Sequence, residues 1–383
     1  MLSASRILTT HCGSLPRPHD LLDLMKAKLG KQPYDAPAYE KRVSRAVSDA
    51  VRRQAECGID IVCDGEQSKP GFFLYVRERL AGFEPRPGMK LPFFDAEVAA
   101  FPEYYKEYFG RAMLGGSVAP IVPMVCTGPV KYQGEAALRR DIENLESALQ
   151  GVKTEGVFMP AVAPSGAGVN EHYRTEEEYF HAVADAMHHE YRAIVDAGFL
   201  VQIDDPFLSD LHCDPALDAA QKRRKAGIYV EALNHALRGL PAERIRFHTC
   251  YGINEGPRIH DASLKDVAGH MLRVNAGYYS FEAANARHEH EYHLWETVKL
   301  PEGRKLIPGV VTHASNIVEH PELIAERLER FARLVGRDNV LAGTDCGFSS
   351  QATYTPEVHP TVVWAKFQAM AQGARLATKR LWH

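Results

Sequence analysis

Two residue types that commonly bind metal ions, a histidine and a cysteine, stand two positions apart at His248 and Cys250. They end an apolar run that is typical of a β-strand, and side chains at positions i and i+2 of a strand point to the same face. The pair would therefore present an imidazole nitrogen and a thiolate sulfur side by side. This suits zinc, which binds such ligands at about 2.0–2.3 Å. The alternative is that Cys250 is a buried apolar thiol.

Two further strand-like runs end in residues of the same chemistry, a carboxylate at Glu282 and a second thiol at Cys346. If the strands close into a barrel, the ends of the fifth, sixth and eighth strands surround one mouth. The sequence therefore predicts a tetrahedral zinc site with one nitrogen, two sulfur and one oxygen ligand, supplied by His248, Cys250, Glu282 and Cys346.

The predicted ligand set indicates what the metal would do. Two thiolates and a carboxylate make the complex anionic, so the metal activates water poorly but can hold a substrate thiol as a nucleophilic thiolate. The set therefore favours thiol alkylation. Two other classes stay open: a zinc hydrolase or lyase with an open water position at the metal, and an enzyme that uses no metal.

Strand-like runs alternate with longer segments of helical period, which indicates parallel strands joined by right-handed crossovers. The strand-like runs cover residues 7–13, 59–64, 118–126, 157–163, 199–204, 245–250, 278–282, 306–312 and 340–345. Helices are predicted over residues 40–56, 176–197, 218–237 and 321–335. Eight such units close into a (β/α)8 TIM barrel of roughly 250 residues, which places its active site at the C-terminal strand ends.

One of the strand-like runs is surplus to a barrel. The stretch between residues 64 and 157 is far longer than one crossover, and it contains a segment rich in proline and aromatic residues at 85–109. We therefore predict a single barrel domain over residues 1–383, with an inserted arm over 67–155 between strands 2 and 3 that includes the run at 118–126. The rival architecture, an open doubly wound sheet, lacks a G-x-G-x-x-G motif after its first strand.

The composition limits the class of protein. Of 383 residues, 45% are hydrophobic and 25% charged, as in a globular protein. The net charge of -4, without a dense Lys/Arg cluster, predicts no nucleic-acid partner. No apolar run reaches the roughly 18 residues of a membrane span, and residues 1–6 show no signal-peptide core, so we expect a cytoplasmic protein. A homo-oligomer is left open.

The seven cysteines do not form an obvious disulfide framework, because their number is odd and the chain is large. Cys250 and Cys346 stand out as metal ligands. The others are predicted to be ordinary buried thiols: Cys12, Cys57, Cys63, Cys126 and Cys213.

Together, these motifs resemble the cobalamin-independent methionine synthase family. The similar stretches are residues 9–18 (TTHCGSLPRP, against the family's T-x-G-S-F/L-P-R), 64–66 (DGE), 201–206 (VQIDDP), 248–250 (HTC), Glu282, 309–313 (GVVTH) and 344–347 (TDCG). They follow one another in order over nearly the whole chain.

The resemblance implies a zinc-dependent methyltransferase that activates a thiol acceptor as a zinc thiolate and transfers a methyl or other alkyl group to its sulfur. Ser14, Glu66 and Asp204 would hold the amino-acid part of homocysteine. Together with Asp204, His313 would act in catalysis, as a proton shuttle or general acid. These roles suit the residue types, because paired carboxylates hold ammonium groups and histidine titrates near neutrality. Capping the following helix is the alternative role for either carboxylate.

The alkyl donor and the acceptor stay open at this point. The family's long members add a second barrel that helps to bind folate, whereas this chain is expected to carry the catalytic barrel alone. The donor would be 5-methyltetrahydrofolate, a corrinoid protein or an epoxide. The opening motif is also similar to that of the epoxyalkane:coenzyme M transferases, which open an epoxide with a zinc-bound thiolate. A sulfonate acceptor would require Arg or Lys near the zinc, whereas homocysteine fits carboxylates.

Overall fold

The computed structural model describes residues 5–90, 94–112, 116–119, 121–252 and 255–382. Most of the N-terminal stretch interpreted above, and residues 91–93, 113–115 and 120 of the predicted arm, lie outside these ranges. The strands are β1 (Ile61–Val62), β2 (Leu80–Pro85), β3 (Met124–Tyr132), β4 (Gly156–Val162), β5 (Val169–Asn170), β6 (Leu200–Asp204), β7 (Ile245–His248), β8 (Tyr278–Phe281), β9 (Lys305–Val311) and β10 (Gly343–Thr344).

The helices are α1 (His19–Leu29), α2 (Ala36–Glu56), α3 (Val76–Arg79), α4 (Asp95–Ala100), α5 (Pro102–Arg111), α6 (Glu135–Ala148), α7 (Glu176–Asp196), α8 (Phe207–Cys213), α9 (Ala219–Ala236), α10 (Leu264–Met271), α11 (Pro321–Val335) and α12 (Pro360–Trp382). None of the helices in the described ranges is long and apolar enough to cross a membrane.

Parallel strands form the wall of the barrel in the order β1-β4-β6-β7-β8-β9-β10. The start of the chain closes the gap between β1 and β10. The Thr9 carbonyl accepts a hydrogen bond from the Ile61 amide at 3.0 Å, and the Thr10 amide donates to the Ala342 carbonyl at 2.9 Å. The predicted fold class, a TIM barrel with an arm inserted between its second and third strands, is confirmed.

The predicted crossover helices are present as α2, α7, α9 and α11, and local sequence fixes their ends. The side chains of Asp35, Thr175 and Asp218 accept backbone N–H groups at the starts of α2, α7 and α9. After α7, Gly198 adopts a φ of +88°, a left-handed conformation that costs glycine little. The chain therefore turns directly from α7 into β6.

The barrel interior is filled below the site. An apolar layer takes side chains from almost every barrel strand: Leu8, Ile61, Cys63, Phe158, Leu200, Tyr278, Ile307 and Leu341. Arg246 of β7 completes it, with its guanidinium 3.8 Å from the ring centroid of Phe158 and hydrogen bonds to Thr10 and the His11 carbonyl. This layer fills the middle of the barrel and separates its two ends, and in a barrel of this kind the active site lies at the C-terminal end of the strands.

Between β1 and β4 the chain leaves the barrel and builds a second sheet, in which β2 pairs antiparallel with β3 and β3 pairs parallel with β5. The strand predicted over residues 118–126 is wrong in its bounds, because β3 begins only at Met124. Pro123 precedes it and has no N–H for a ladder. Within the predicted arm, α6 packs on α2, as a barrel crossover helix does.

Helices α4 and α5 carry an aromatic cluster that lies against the loops at the C-terminal end of the barrel. The Tyr108 hydroxyl donates to Glu357 at 2.9 Å. The Glu97 carboxylate accepts the backbone amide of His260 at 2.6 Å. Since both partners follow barrel strands, these helices cover part of the barrel mouth.

Candidate metal and substrate site

A cavity opens at the C-terminal ends of the barrel strands, where the sequence predicts the site. It is lined by Cys12, Ser14, Glu66, Phe72, Asp204, Pro206, His248, Cys250, Gly252, Cys346, Gly347, Ser349, Ser350, Gln351, Thr353 and Glu357. Of the residues predicted from the sequence, the structure brings six together in this lining: Ser14, Glu66, Asp204, His248, Cys250 and Cys346. Glu282 and His313 are buried beside the cavity rather than in its lining.

The imidazole of His248, at the end of β7, is arranged as a metal ligand would be. Its Nδ1 lies 3.1 Å from the Ser280 hydroxyl on the neighbouring strand β8. Its Nε2 is buried and has no hydrogen-bond partner within the described ranges. A partner on Nδ1 leaves the Nε2 lone pair free, which is the usual arrangement of metal-bound histidine.

Three cysteine side chains, Cys12, Cys250 and Cys346, are buried in contact with one another. The ligand atoms of Cys12, His248 and Cys346 all lie within 4.8 Å of one another. Hydrogen bonds from the thiols of Cys12 and Cys250 lower the pKa of Cys346 well below its usual range. A thiolate flanked by two thiols and an unpaired imidazole nitrogen is a donor set that fits zinc.

Cys12, which the sequence analysis placed among the ordinary buried thiols, is a buried free thiol that also lines the cavity beside Cys250 and Cys346. It follows the segment that closes the barrel, so it stands at a strand end as Cys250 and Cys346 do. Its amide donates to the Thr344 hydroxyl at 3.0 Å, and its carbonyl accepts a short hydrogen bond from the Gln202 side chain. Its position at a strand end was the available clue to its place in the site.

The predicted ligand Glu282 has both carboxylate oxygens engaged. Oε1 accepts the backbone amide of Tyr251 at 3.1 Å. Oε2 accepts from the Arg258 guanidinium and the Asn285 side chain, both at 2.8 Å. No sequence motif singled out Arg258, which lies in the loop after β7.

His313 lies in a second buried group with Glu282 and Asp345, whose ligand atoms are within 4.8 Å of one another. Both oxygens of Asp345 are engaged, because Oδ1 accepts the amides of Ala283 and Ala284 at 2.7 and 2.8 Å and Oδ2 accepts from the Asn285 side chain at 3.1 Å. The Nδ1 of His313 has no partner in the described part of the chain. This group is therefore a hydrogen-bonded support beside the cavity, with one free imidazole nitrogen.

Two carboxylates face the cavity from the other side. Asp204 accepts a hydrogen bond from the Gln202 amide at 2.9 Å. Glu66 follows β1 with a left-handed φ of +55°, and its Oε2 is buried with no partner among the described residues. Burial raises the pKa of both groups, that of Asp204 to about 8. Two desolvated carboxylates of this kind favour a cationic ligand between them.

The described lining of the cavity contains the acidic side chains Glu66, Asp204 and Glu357 and no Lys or Arg. The nearby Arg17 instead donates to the carbonyls of Glu66 and Ser349, at 2.8 and 3.0 Å. Ser14 is held under the loop after β10, where a Cβ at Gly347 would lie 2.0 Å from the Ser14 oxygen. The described lining therefore offers carboxyl groups that can accept hydrogen bonds from an ammonium group, and no cationic side chain for a sulfonate.

The arrangement is matched in known proteins. The family model described as "Cobalamin-independent synthase, Catalytic domain" matches residues 7–86 and 161–366. The chain belongs to this family. The family's activity is methyl transfer, so membership makes this chain a methionine synthase-like methyltransferase.

Similar proteins cover nearly the whole chain. The methionine synthase of Sulfolobus acidocaldarius is 22% identical over 344 residues, which are 88% of this chain and 85% of the relative. That of Thermococcus kodakarensis is 21% identical over 97% and 94% of the two chains. The B12-independent methionine synthase from Shewanella sp. W3-18-1, solved in complex with selenomethionine, has the same fold with a TM-score of 0.74, at 20% identity and 98% and 99% coverage.

The segment after the last barrel strand, residues 348–351, reads FSSQ and carries no charged side chain. The structure places Ser349, Ser350 and Gln351 in the cavity lining. The Oε1 of Gln351 is buried without a partner among the described residues. This part of the cavity lining is therefore polar and uncharged.

Proposed function

We propose that the protein is a zinc-dependent methyltransferase that methylates the sulfur of homocysteine. The observation that carries the proposal is one cavity with two chemically distinct ends. The unpaired His248 Nε2 and the touching cysteines form one end, and the carboxylates Glu66 and Asp204 form the other. Homocysteine carries a thiol and an ammonium group on a short chain, so it complements both.

We assign the metal to His248, Cys250 and Cys346, with Glu282 as the fourth ligand that the family resemblance implies. When bound there, zinc supplies a Lewis acid that keeps the acceptor thiol deprotonated. Ser280 holds the imidazole of His248 in the orientation that this role requires. A thiolate-rich set is poorly suited to water activation, so we set the hydrolase and lyase alternatives aside.

Glu66 and Asp204 bind the ammonium group of the acceptor in this proposal. Both are desolvated, and Asp204 is fixed by Gln202. A bound ammonium replaces the missing solvation and returns the pKa of Asp204 toward its usual range. Ser14, under the loop after β10, supplies a hydroxyl to the same part of the acceptor. The acceptor sulfur is thereby aligned with the metal ligands.

His313 provides the proton that balances the transfer. The S–CH3 bond forms while the bond between the methyl carbon and the donor breaks, and the leaving atom of the donor takes up a proton. The buried Nδ1 of His313 lacks a partner within the described ranges, and the imidazole lies beside the carboxylates of Glu282 and Asp345. We therefore assign general acid catalysis to His313.

For the donor, we propose a methylated folate rather than an epoxide. Epoxide opening by coenzyme M would bring a sulfonate into the cavity, and the described lining offers it no cation. A methylated corrinoid protein is the alternative donor for the same acceptor, and the assay below separates the two.

Zinc-loaded protein should be assayed with homocysteine and either 5-methyltetrahydrofolate or methylcobalamin, and in parallel with coenzyme M and an epoxide. Methionine, measured by mass spectrometry, should form with the methylated folate. It should disappear after chelation and return with zinc. Alkylation of coenzyme M without any methylation of homocysteine would refute the proposal.

Substitution tests the ammonium site. Glu66→Gln and Asp204→Asn each remove a charge-assisted hydrogen bond, so the KM for homocysteine should rise about 10–100-fold. The zinc content should be unchanged. Glu171→Gln is the matched control, because its carboxylate pairs with Arg86 on the surface, at 2.9 Å. An unaltered KM in both site variants would refute the assigned roles.

A further inference from the structure

We infer that Cys12 is a third thiolate ligand of the metal, in the coordination position that the motif pattern assigns to Glu282. The inference rests on the proposed zinc site and deepens it. The set becomes Cys12, His248, Cys250 and Cys346.

The Cys12 sulfur is already where a ligand must be. Its distances to the ligand atoms of His248 and Cys346 are within 4.8 Å, and its side chain also contacts Cys250. Ligands that each lie about 2.0–2.3 Å from one zinc are at most about 4.6 Å apart. The 4.8 Å limit that the ligand atoms of Cys12, His248 and Cys346 satisfy is close to this span, so the three atoms lie in the range that a shared zinc ion requires.

The backbone of Cys12 is fixed in this position. Its amide donates to Thr344, two residues before Cys346, and its carbonyl accepts from Gln202 on β6. The Cys12 side chain is only 6% exposed, and that exposure faces the cavity it lines. Cys12 thus reaches the cavity from the end of a strand, as Cys250 and Cys346 do.

Glu282, in contrast, is held by other groups. Moving it onto a metal would break its hydrogen bonds with Arg258 and Asn285, both 2.8 Å long. Arg258 is buried and is also paired with Asp261 at 2.7 Å, so it cannot follow the carboxylate. The move would leave the buried guanidinium of Arg258 without one of its hydrogen-bond partners, and an incompletely paired buried charge costs free energy.

The consequence is a site with three thiolates and one imidazole. Its formal charge equals that of two thiolates, a carboxylate and an imidazole, but its donors are softer. Four protein ligands complete a tetrahedron, so a thiol acceptor has to replace one of them.

The sulfur count in the unmodified protein tests this directly. X-ray absorption of the zinc-loaded protein, without acceptor, should show three sulfur neighbours at about 2.3 Å and one nitrogen. Two sulfurs with two nitrogen or oxygen neighbours would overturn the inference about Cys12 and leave the proposed zinc site standing. A protein that binds no zinc would overturn both.

Cobalt substitution supplies a second readout that is independent of turnover. In Cys12→Ala, the thiolate-to-cobalt charge-transfer absorption should fall by about one third, because one of three thiolates is removed. Cys57→Ala, a buried cysteine in another part of the core, should match the wild type. Cys346→Ala should lose most of the metal if the zinc site itself is correct.

Glu282→Gln completes the comparison. It should retain the full charge-transfer absorption of the wild type, because Glu282 is not a ligand in this assignment. An unchanged absorption in Cys12→Ala together with a changed ligand field in Glu282→Gln would overturn the inference. Circular dichroism of each metal-free variant verifies that it is folded before loading.

Discussion

The carboxylate of Glu282 and the guanidinium of Arg258 form a buried ion pair, with 2.8 Å between Oε2 and Nη2. Arg258 adopts a left-handed φ of +54°, a conformation that costs a non-glycine residue about 1 kcal/mol or more. Strain of this kind persists where the surroundings enforce it. The ion pair therefore fixes the one carboxylate that the motif pattern assigns to the metal.

Removal of Arg258 should be strongly destabilising. Arg258→Met leaves the Glu282 carboxylate buried with one donor fewer, and breaking a buried pair costs about 3–5 kcal/mol of unfolding free energy. Urea unfolding measures the change. Arg224→Met, which breaks a surface pair with Glu177, is the control and should change stability far less. Equal effects of the two substitutions would contradict the role given to the buried pair.

The hydroxyl of Ser280 should tune metal affinity. Ser280→Ala removes the partner of His248 Nδ1, and loss of such a supporting hydrogen bond weakens metal binding about 10–100-fold. Competition with a chromophoric chelator measures the affinity. Ser48→Ala removes a hydroxyl that bonds only within α2, at the carbonyl of Ser44, and should leave the affinity unchanged. Wild-type affinity in Ser280→Ala would argue against His248 as a ligand through Nε2.

His288 should make stability depend on pH. Burial alone would lower the pKa of His288, but hydrogen bonds to Asp261 and Glu291, at 3.0 and 2.8 Å, outweigh it and raise the pKa to about 9. Because this value exceeds that of the unfolded chain, about 6.5, the stabilisation is complete below pH ~6.5 and is lost as the pH rises through 9. The loss should be about 2–3 kcal/mol.

Urea unfolding of the wild type and of His288→Gln, each at about pH 6 and about pH 9.5, checks this dependence. The variant should have a clearly shallower pH slope than the wild type over that interval, and Asp204, whose pKa is raised to about 8, accounts for part of the slope that remains. His172→Gln, at an exposed position, should keep the slope of the wild type. A slope in His288→Gln as steep as that of the wild type would assign the pH dependence to other groups.

Substitution of Gly309 should destabilise the fold and weaken zinc binding. A Cβ at this position would lie 2.0 Å from the Asp345 carboxylate and 2.7 Å from its Cα, so Gly309→Ala must displace the strand that carries Cys346. We expect a loss of about 3 kcal/mol in unfolding free energy and weaker zinc binding. Gly269→Ala is the control, because its Cβ would point into open space within α10, and it should stabilise by about 0.5–1 kcal/mol. Thermal unfolding that is identical in both variants would contradict this prediction.

Short sequence patterns predicted most of the fold. The apolar runs and the helical periods predicted the barrel order, and α11 begins and ends at the predicted residues. The prediction failed at β3, where Pro123 delays the start of the strand. Proline lacks the backbone N–H that a neighbouring strand would accept, so its effect depends on where that neighbour lies. The neighbour, β2, could not be identified from the sequence.

The sequence by itself indicated the barrel, the end of the barrel at which a site lies, and three strand-end residues that line the cavity there: His248, Cys250 and Cys346. Glu66 and Asp204, which line the same cavity, were named by the family resemblance rather than by strand pattern. Strand period and strand ends are properties of short segments, and parallel strands bring their carboxyl ends to one edge. Only the tertiary structure decided that Cys12 joins the cysteines and that Arg258 holds Glu282. Those relationships join residues more than 20 positions apart, and they depend on barrel closure, loop path and side-chain rotamers that no local pattern encodes.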